Sequence, residues 1–465
     1  MTSYRGKRVT VMGLGTRAGG LGVARYFVEQ GALVTVTDGK SADELAGPIA
    51  ELHGLPVEFA LGGHQDRHFT PEGADLVVRN PAVRRWSPYL ALARESGVPI
   101  EMEMSIFLQA SPVPVIGITG TKGKTSTAAI AGSILTAWRP NTVLAGNMGV
   151  SAVAYLSKVE ADTPVVLEIS NWQLEGMDER SVGPKIAVLT NIHEDHLDTY
   201  DGFDDYANTK RSIARHLSST DTLIVNRDNA EAFRAAAQTR ARVASFGAAR
   251  PSGDGFWLED RFVCWETAGS AGRVELPDRF VYQGVHQRLN ASAAIAAALV
   301  RGADLNAVRE GLERFDGVKD RTELVAQIDG VLFVNDTSAT APAAAIAALD
   351  AYPGRNLHVI AGGFDKQLEL APLGQSLAEK ATTIILLDGS ATPRLMETIR
   401  NADGRWLGPF DSMQEAVEAG AAQASAGDVV ILSPGCASFG LFRDEFDRGE
   451  KFREAVAKLK DTSGS

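Results

Sequence analysis

Short apolar runs recur along the chain, and most are followed by a glycine-rich or polar turn and then by a stretch with helical spacing. Brief apolar runs bounded by turn residues are typical of buried strands. Because strand–helix–strand crossovers make neighbouring strands parallel, the pattern predicts an α/β protein with parallel sheets. The predicted strands are Arg8–Met12, Leu33–Thr37, Ala74–Val78, Val98–Ile100, Val115–Ile118, Pro164–Glu168, Ile186–Leu189, Leu223–Asn226, Val331–Val334, Leu357–Ala361, Thr383–Leu387 and Val429–Leu432.

The length of 465 residues suggests about three domains, each large enough to bury its own core. Pro112 and Pro114 interrupt the pattern after the first group of strands. We therefore predict a Rossmann-like domain over residues 1–110 and a P-loop ATPase-like domain over 111–317. A second Rossmann-like domain with a parallel sheet is predicted over 318–465.

The composition is ordinary for a globular protein, so the net charge of −12 is its more informative property. An acidic surface argues against broad binding to nucleic acids or anionic membranes, although it allows a local basic pocket for phosphates. The sequence has no run of about 18 apolar residues, so we expect no membrane span. Cys264 and Cys436 have neither zinc spacing nor the number needed for a disulfide framework, which favours a reducing cytoplasm.

The strongest chemical signal is the apolar run Val115–Ile118, which leads into Gly120-Thr121-Lys122-Gly123-Lys124-Thr125 and then into a helical stretch. Glycines let backbone N–H groups approach phosphate oxygens, and a helix N-terminus adds positive potential. Lys124 supplies a point charge, and Thr125 is placed to offer a hydroxyl to Mg²⁺. The loop is a shortened Walker pattern, since Ile118 stands where that pattern has its first glycine. We predict a nucleoside triphosphate site, with a plain glycine–lysine turn as the alternative.

A second glycine turn, Gly13–Gly20, follows the first predicted strand, and Asp38 stands at the end of the second. This is a loose form of the dinucleotide fingerprint, because its third glycine falls one place late, at Gly19. A nicotinamide cofactor is one possible ligand. We favour a Rossmann-like domain that holds another nucleotide or none.

Polar residues near strand ends in the middle of the chain are candidate ligands. Glu168 ends a predicted strand, where P-loop enzymes place a magnesium ligand; a surface carboxylate is the alternative. The cluster His193–Asp198 lacks HExxH spacing, so at most one of its histidines is expected to bind Mg²⁺. Lys210 lies on a predicted helix, where a lone lysine is usually solvated. Asn290 precedes a predicted helix, Ala291–Leu299, and could bind a base or ribose or simply cap the helix.

Ten short motifs occur in the order found in the Mur ligases, and by this resemblance the chain is identified as a member of that family. The motifs are GITGTKGKTST, GNMG, LEISNWQLE, TNIHEDHLDTY, YANTK, GVHQRLN, KDRTE, NDTSATAP, GGFDK and SPGCASFGLFRDEFDRG. The resemblance covers nearly the whole chain. Within the family, the chain most resembles the enzymes that add D-glutamate to UDP-N-acetylmuramoyl-L-alanine.

The resemblance implies three binding regions. The UDP-sugar would contact Gly15, Thr16, Arg17, Asp38, Asn80, Asn147 and His196. ATP would contact Gly120, Thr121, Lys122, Gly123, Lys124, Thr125, Ser126, Asn147, Asn290, Arg321 and Asp336. The incoming amino acid would contact Thr340, Lys366, Ser438 and Phe446.

The resemblance also implies the catalytic and metal-binding groups. The catalytic side chains would be Lys124, Glu168, His196 and Lys210, and two Mg²⁺ ions would be held by Thr125, Glu168, His196 and Lys210. Lys210 matches the carbamylated lysine of the family. Carbamylation would turn its ammonium into a carboxylate-like anion, which is a suitable ligand for a hard cation.

The implied reaction is ATP-dependent amide formation in cytoplasmic synthesis of the peptidoglycan precursor for the cell wall. The terminal carboxylate of the UDP-sugar would attack the γ-phosphorus of ATP to give an acyl phosphate. The amine of glutamate would then displace phosphate through a tetrahedral intermediate. Because two anions must approach one another, a lysine and Mg²⁺ are needed to offset their charge. The implied partners are these small molecules, without nucleic acid or membrane, and we expect a monomer.

One motif departs from the family pattern in a way that concerns the amino acid. In NDTSATAP, Ser338 replaces the lysine of the usual NDSKATN, which helps to hold glutamate. Losing a charge-assisted hydrogen bond costs about 1.5–3 kcal/mol, so addition of L-glutamate is the first alternative. A catalytically silent UDP-sugar or nucleotide-binding paralogue is the second, although the retained catalytic set argues against it. A folate polyglutamate-type ligase is disfavoured by the N-terminal βαβ unit with Asp38.

Overall fold

The computed structural model describes residues 4–15, 18–149, 151–195, 199–278, 280 and 284–463. Three sheets with helices between their strands confirm the predicted α/β class with three domains. Each sheet lies within one of the three predicted domains, whose boundaries stay predictions. The chain forms two compact units, Met1–Pro277 with His286–Arg314 and Asp278–Val285 with Phe315–Ser465.

The first sheet has five parallel strands: β1 (Arg8–Met12), β2 (Leu33–Asp38), β3 (Val57–Leu61), β4 (Leu76–Arg79) and β5 (Ile100–Glu101). Its helices are α1 (Ala18–Glu29), α2 (Ala46–Glu51), α3 (Pro88–Glu95) and α4 (Glu103–Ala110). The strand order is β3-β2-β1-β4-β5. The order reverses between β1 and β4, so the loops after these two strands border one crevice. The sequence pattern missed β3, an edge strand that is only half buried.

The second sheet has nine strands: β6 (Val115–Thr119), β7 (Val143–Gly146), β8 (Val165–Glu168), β9 (Ile186–Leu189), β10 (Thr222–Asn226), β11 (Arg242–Gly247), β12 (Gly255–Glu259), β13 (Phe262–Thr267) and β14 (Ser270–Glu275). The helices around it are α5 (Lys124–Trp138), α6 (Asn171–Glu179), α7 (Phe203–Arg211), α8 (Ala230–Phe233), α9 (Gly284–Arg301) and α10 (Leu305–Arg314). The order is β14-β13-β12-β11-β10-β9-β6-β8-β7. The fully buried β6 lies between β8 and β9, parallel to both, so the segments after these three strands are neighbours.

The third sheet has six strands: β15 (Glu323–Ile328), β16 (Val331–Asn335), β17 (Leu357–Gly362), β18 (Thr383–Leu387), β19 (Trp406–Phe410) and β20 (Val429–Leu432). Its helices are α11 (Pro342–Leu349), α12 (Ala371–Lys380), α13 (Thr392–Asn401), α14 (Met413–Gln423) and α15 (Glu445–Ser463). The order is β15-β16-β20-β17-β18-β19, and all pairs are parallel except β15 with β16. The four predicted strands form its centre, and the structure adds β15 and β19 at the edges.

The first two sheets share one apolar core within the first compact unit. Val9 and Val36 of the first sheet belong to the same buried cluster as Val115 and Leu167 of the second. The third sheet has its own apolar clusters on both faces. Among the described residues, none of the helices combines the length and the apolar character needed to cross a bilayer.

Candidate active site

The loop between β6 and α5 has the backbone of an anion cradle. Gly120 (φ +149°) and Gly123 (φ +81°) adopt conformations that residues with side chains rarely take. A Cβ at Gly120 would lie 2.0 Å from Thr190 Oγ1, so the loop approaches the segment after β9 closely. The predicted strand, loop and helix are confirmed, and Thr125 and Ser126 lie in the first turn of α5. Phosphate binding by this loop stays a prediction.

Lys124 folds back onto the loop that precedes it. Its Nζ donates to the carbonyl oxygens of Gly120 at 2.9 Å and Thr121 at 3.1 Å. These bonds hold the ammonium at the mouth of the cradle. A ligand that offers phosphate oxygens can take their place, because a charged acceptor forms a stronger bond than a neutral carbonyl.

The segment after β9 fixes the glycine loop through several hydrogen bonds. Thr190 Oγ1 donates to the carbonyl oxygen of Lys122 at 2.6 Å, and the backbone N–H of Lys122 donates to Asn191 Oδ1 at 2.8 Å. The N–H of Thr121 donates to the carbonyl oxygen of Asn191 at 2.8 Å. The loop is therefore held in its shape by the neighbouring strand end. His196, from the same motif, lies outside the described residues.

Asn290 contacts the glycine loop from within a helix. A Cβ on Gly123 would lie 2.4 Å from Asn290 Oδ1, and Asn290 Nδ2 donates to Gln287 Oε1 at 3.1 Å. The predicted helix start at Ala291, with Asn290 as its cap, is wrong, because α9 begins at Gly284. Its first two turns are polar and partly exposed, so they lack the apolar spacing by which the rest of the helix was recognised. The predicted contact of Asn290 with adenine stays a prediction.

Glu168 lies at the end of β8 with only 1% of its surface exposed. Its Oε1 accepts a hydrogen bond from Asn147 Nδ2 at 2.9 Å, whereas Oε2 is buried without a hydrogen-bond partner among the described residues. The alternative of a surface carboxylate is therefore wrong. A buried carboxylate oxygen needs a cation or a donor to offset its desolvation. Oxygen is the ligand that Mg²⁺ prefers, so Glu168 fits the implied metal.

The described residues contain no group of three or more His, Cys, Asp and Glu side chains arranged to hold a metal ion. Mg²⁺ usually keeps several waters and is bound through one or two carboxylates together with substrate phosphates. Glu168 and the Thr125 hydroxyl fit that mode of binding. The implied roles of His196 and Lys210 as further ligands stay predictions.

Lys210 is buried on α7, with 1% of its surface exposed, so the alternative of a solvated lysine is wrong. Its Nζ lies 5.5 Å from the ring centroid of Tyr206. Burial, reinforced by the ammonium of Lys124, lowers the pKa of Lys210 well below its ordinary value. The attraction of Asp195 and Glu168 opposes this shift but is weaker. The side chain therefore gives up its proton more readily than an exposed lysine does.

A cavity of about 670 Å³ lies between the crevice of the first sheet and the segments after β7 and β8. Four of the residues implied in UDP-sugar binding line it, namely Gly15, Asp38, Asn80 and Asn147. Thr16, Arg17 and His196 lie outside the described residues. The volume is in the range of small-molecule sites. The structure thus brings these four residues to one cavity, and the identity of the ligand stays a prediction.

Asp38 shapes the glycine turn of this cavity. Its Oδ2 accepts hydrogen bonds from the backbone N–H groups of Leu14 at 2.9 Å and Gly15 at 3.2 Å. Its Oδ1 accepts from the N–H of Lys40 at 3.0 Å. The carboxylate therefore joins the loops after β1 and β2. The implied contact of this region with uracil or phosphate stays a prediction.

Several further residues line the same cavity and were not predicted as site residues, among them Arg84, Glu103 and Trp172. Glu103 Oε1 accepts a hydrogen bond from Ser151 Oγ at 2.5 Å, and burial raises the pKa of this carboxyl. Arg84 belongs to an adjacent pair of arginines after β4, which was an available signal. Such pairs are common on surfaces, so the sequence pattern did not distinguish it.

In the second compact unit, Asp336 follows β16 in a buried position. Its Oδ2 accepts a hydrogen bond from Ser433 Oγ at 2.9 Å, and its Oδ1 accepts from the N–H of Thr322 at 3.1 Å. Burial raises the pKa of Asp336 to about 7, against the opposing effect of these two bonds and of Arg321. The structure therefore brings Asp336 near Arg321, as implied, while their contact with nucleotide stays a prediction.

The residues implied in amino-acid binding lie at the carboxyl end of the third sheet. Lys366 Nζ donates to Thr340 Oγ1 at 3.3 Å, so these two are brought together. Ser438 is buried, whereas Phe446 at the start of α15 is 58% exposed. Their shared role in binding glutamate stays a prediction.

Arg448 supports this region and was missed by the sequence analysis. Its guanidinium is buried and donates to Thr337 Oγ1 and to the carbonyl oxygen of Thr337, both at 2.9 Å. It also donates to the carbonyl oxygen of Cys436 at 3.2 Å. These bonds tie the loop that carries Thr340 to the loop that carries Ser438.

Three family models match the chain in sequence order. The Mur ligase MurD-like N-terminal domain matches residues 7–101, the Mur ligase middle domain matches 118–298, and the Mur ligase glutamate ligase domain matches 320–436. Together they overlap all three sheets.

Individual proteins show the same likeness. The chain is 44% identical over 462 residues to UDP-N-acetylmuramoylalanine–D-glutamate ligase of Roseiflexus sp. strain RS-1, covering 97% of this chain and 98% of the relative. Its fold is similar to that of the ligase MurC from Thermotoga maritima (TM-score 0.60, 19% identity, 98% and 100% of the two chains). It is also similar to FolC from E. coli in complex with DHPP and ADP (TM-score 0.54, 19% identity, 78% and 91%). The full-length identity and the three ordered domain matches show that the chain belongs to the Mur ligase family.

Proposed function

We propose that this ligase joins D-glutamate to UDP-N-acetylmuramoyl-L-alanine, with ATP converted to ADP and phosphate. One observation carries the proposal: Asn147 lines the cavity of the first sheet and also donates to Glu168 Oε1 at 2.9 Å. The candidate sugar-nucleotide cleft and the candidate cation site thus share one side chain. A carboxylate bound in the cleft can therefore lie beside the phosphates of ATP. The name of the Roseiflexus relative, UDP-N-acetylmuramoylalanine–D-glutamate ligase, supports the choice of substrates.

In the first step, the alanine carboxylate of the UDP-sugar attacks the γ-phosphorus of ATP, giving an acyl phosphate and ADP. The glycine loop and the first N–H groups of α5 hold the phosphates. Lys124 Nζ exchanges its bonds to the carbonyl oxygens of Gly120 and Thr121 for bonds to phosphate oxygens. This cation offsets the repulsion between the carboxylate and the triphosphate.

Glu168 Oε2 and the Thr125 hydroxyl would hold Mg²⁺, which neutralises phosphate charge when it is bound. Lys210 is suited to carbamylation, because only the neutral amine attacks carbon dioxide. The nitrogen–carbon bond forms, one N–H proton passes to water, and a carbamate anion results. That anion, together with His196, would hold a second Mg²⁺.

In the second step, the amine of glutamate attacks the carbonyl carbon of the acyl phosphate. A tetrahedral intermediate forms, the amine loses a proton, and phosphate leaves. Lys366, Thr340 and Ser438 would hold the carboxylates of glutamate, with Phe446 at the edge of the pocket. Ser338 offers a hydroxyl at the position where the usual family motif has a lysine. Because that lysine helps to hold glutamate, its replacement makes L-glutamate the second candidate substrate.

Phosphate release from ATP, measured with UDP-N-acetylmuramoyl-L-alanine and either enantiomer of glutamate, tests the proposal. We expect release that requires the UDP-sugar and D-glutamate together. Faster release with L-glutamate would support the second candidate, and no release with either enantiomer would reject both. The protein is expected to be a cytoplasmic monomer, which sedimentation velocity and cell fractionation would check.

A further inference from the structure

Two buried tyrosines, Tyr200 and Tyr206, lie between the cavity and the glycine loop, and the steps above do not use them. They are 6% and 1% exposed. Their rings meet edge to face with centroids 5.5 Å apart. Burial raises the pKa of both phenols, that of Tyr206 to about 12. Both hydroxyls therefore keep their protons at neutral pH and can donate hydrogen bonds.

Tyr206 contacts the glycine loop directly, since its hydroxyl lies 2.9 Å from Thr121 Oγ1. That oxygen also accepts from the N–H of His193 at 3.0 Å, and its own proton is directed to the carbonyl oxygen of His193 at 3.2 Å. The Tyr206 hydroxyl is therefore one of three groups that hydrogen-bond to Thr121 Oγ1. The carbonyl oxygen of Thr121 in turn accepts from Lys124 Nζ at 3.1 Å. A movement of Tyr206 would thus shift the residue that holds Lys124.

Tyr200 makes its contacts on the side of the cavity. Its hydroxyl donates to Glu175 Oε1 at 2.8 Å and accepts from Asn171 Nδ2 at 2.8 Å. The guanidinium of Arg85 lies 5.1 Å from the centroid of the Tyr200 ring. Arg79 Nη2 donates to the other oxygen of Glu175 at 2.6 Å. Tyr200 is therefore in contact with one arginine and linked to the other through Glu175.

These two arginines flank residues 80–84, all of which line the cavity. Arg79 Nε also donates to the carbonyl oxygen of Val83 at 2.8 Å, inside that loop. Arg85 pairs with Asp205, which lies next to Tyr206 on α7. These contacts connect loop 80–84 to both tyrosines.

We propose that Tyr200 and Tyr206 are positioning residues that couple the cavity to the glycine loop, so that binding of a sugar nucleotide strengthens binding of a nucleoside triphosphate. The coupling rests on the proposed function for the identity of the two ligands. Lys124 is the element with two arrangements: its ammonium bonds either to the loop carbonyls, as in this structure, or to phosphate. A ligand that moves loop 80–84 favours the second arrangement by shifting Thr121. Thermodynamic linkage requires the triphosphate to strengthen sugar-nucleotide binding by the same factor.

Isothermal titration calorimetry tests this coupling. The Kd of a non-hydrolysable ATP analogue is measured with Mg²⁺, in the presence and absence of saturating UDP-N-acetylmuramoyl-L-alanine. In the wild type we expect the UDP-sugar to lower this Kd about fivefold or more. Tyr206→Phe removes only the hydroxyl, and we expect its two Kd values to become nearly equal. Arg85→Gln removes the ion pair with Asp205 but leaves the link through Arg79 and Glu175, so we expect it to weaken the coupling in part. The double variant should lose no more coupling than Tyr206→Phe alone, because both links reach Thr121 through Tyr206.

Tyr26→Phe is the matched control, since it removes the hydroxyl of a half-buried tyrosine on α1, outside this path. It should keep the wild-type coupling, and Tyr206→Phe should bind the UDP-sugar alone with wild-type affinity. Wild-type coupling in Tyr206→Phe, or no coupling in the wild type, would overturn the inference while leaving the proposed function standing. Failure of the wild type to bind either ligand would overturn both.

Discussion

Arg394 Nη1 donates to Asp365 Oδ2 at 2.7 Å, and Nη2 of the same guanidinium donates to the carbonyl oxygen of Leu368 at 3.2 Å. These bonds hold the chain on either side of Lys366, at a turn where Gln367 has a φ of +58°. Arg394 therefore fixes the backbone that presents the Lys366 ammonium. The position of Lys366, a candidate amino-acid-binding residue, thus depends on Arg394, which was not predicted from the sequence.

Arg394→Gln should raise the KM for glutamate several-fold and leave the KM for ATP unchanged. The reason is that Lys366 keeps its charge but loses the support of its loop. Steady-state phosphate release at varied glutamate and varied ATP would measure both constants. Lys380→Gln, which removes another exposed ion pair of the same unit, is the control. An equal rise in both KM values would contradict a role confined to the amino-acid site.

Lys124→Ala should lower kcat by a factor on the order of 10²–10³, as expected when one preorganised group that stabilises charge is removed. The melting temperature should change little, because the glycine loop keeps its bonds to Thr190 and Asn191. Phosphate release and thermal unfolding would be measured on the same preparation. Retention of wild-type kcat would exclude Lys124 from the reaction.

Lys210→Ala should be inactive and should regain part of its activity when a short carboxylic acid such as acetate is added. A carboxylate can replace the oxygens of the carbamate as ligands for Mg²⁺. The same acid should not restore Lys124→Ala, where a cation is missing. Wild-type turnover of Lys210→Ala without any added acid would remove the carbamate from the mechanism.

Ser338→Lys should lower the KM for D-glutamate roughly tenfold or more, because a charge-assisted hydrogen bond contributes about 1.5–3 kcal/mol. Ser338→Met has similar length without the charge and should not produce this change. The KM values for both enantiomers of glutamate would be compared in the two variants. A preference for L-glutamate that Ser338→Lys reverses would identify this position as the determinant of stereochemistry.

Asp336 should make the protein less stable as the pH rises from about 4 to about 7. Its pKa is raised from 3.8 to about 7, so in this interval the folded state keeps a proton that the unfolded state has lost. Stability then falls with rising pH, by a total on the order of 4 kcal/mol, and this contribution is constant above pH 7. Urea unfolding at several pH values would show the decline, and its slope should be shallower in Asp336→Asn. Identical slopes in the two proteins would show that Asp336 ionises normally.

The strand–loop–helix structure around the glycine loop could be predicted from local sequence, because its strand, glycines and helix are neighbours in the chain. The same holds for the strands at the centres of the first and third sheets, whose burial on both faces requires continuous apolar runs. The interior strand β11 of the second sheet was not predicted, because its first two residues are exposed or partly exposed and it carries no continuous apolar run. The edge strands β3 and β15 are partly exposed, so their sequences lack that signal. The start of α9 was predicted seven residues too late for the same reason, since its first two turns are partly exposed.

The sequence by itself determined the α/β class, the glycine loop and the family, since each can be recognised from residues that lie close together in the chain. Only the tertiary structure showed that Lys210 is buried, that Glu168 Oε2 has no hydrogen-bond partner among the described residues, and that Asn147, which lines the cavity, also donates to Glu168. These properties arise from contacts between segments far apart in sequence. Desolvation and hydrogen bonding depend on which segments meet, and this is decided by the order of strands in the folded sheets.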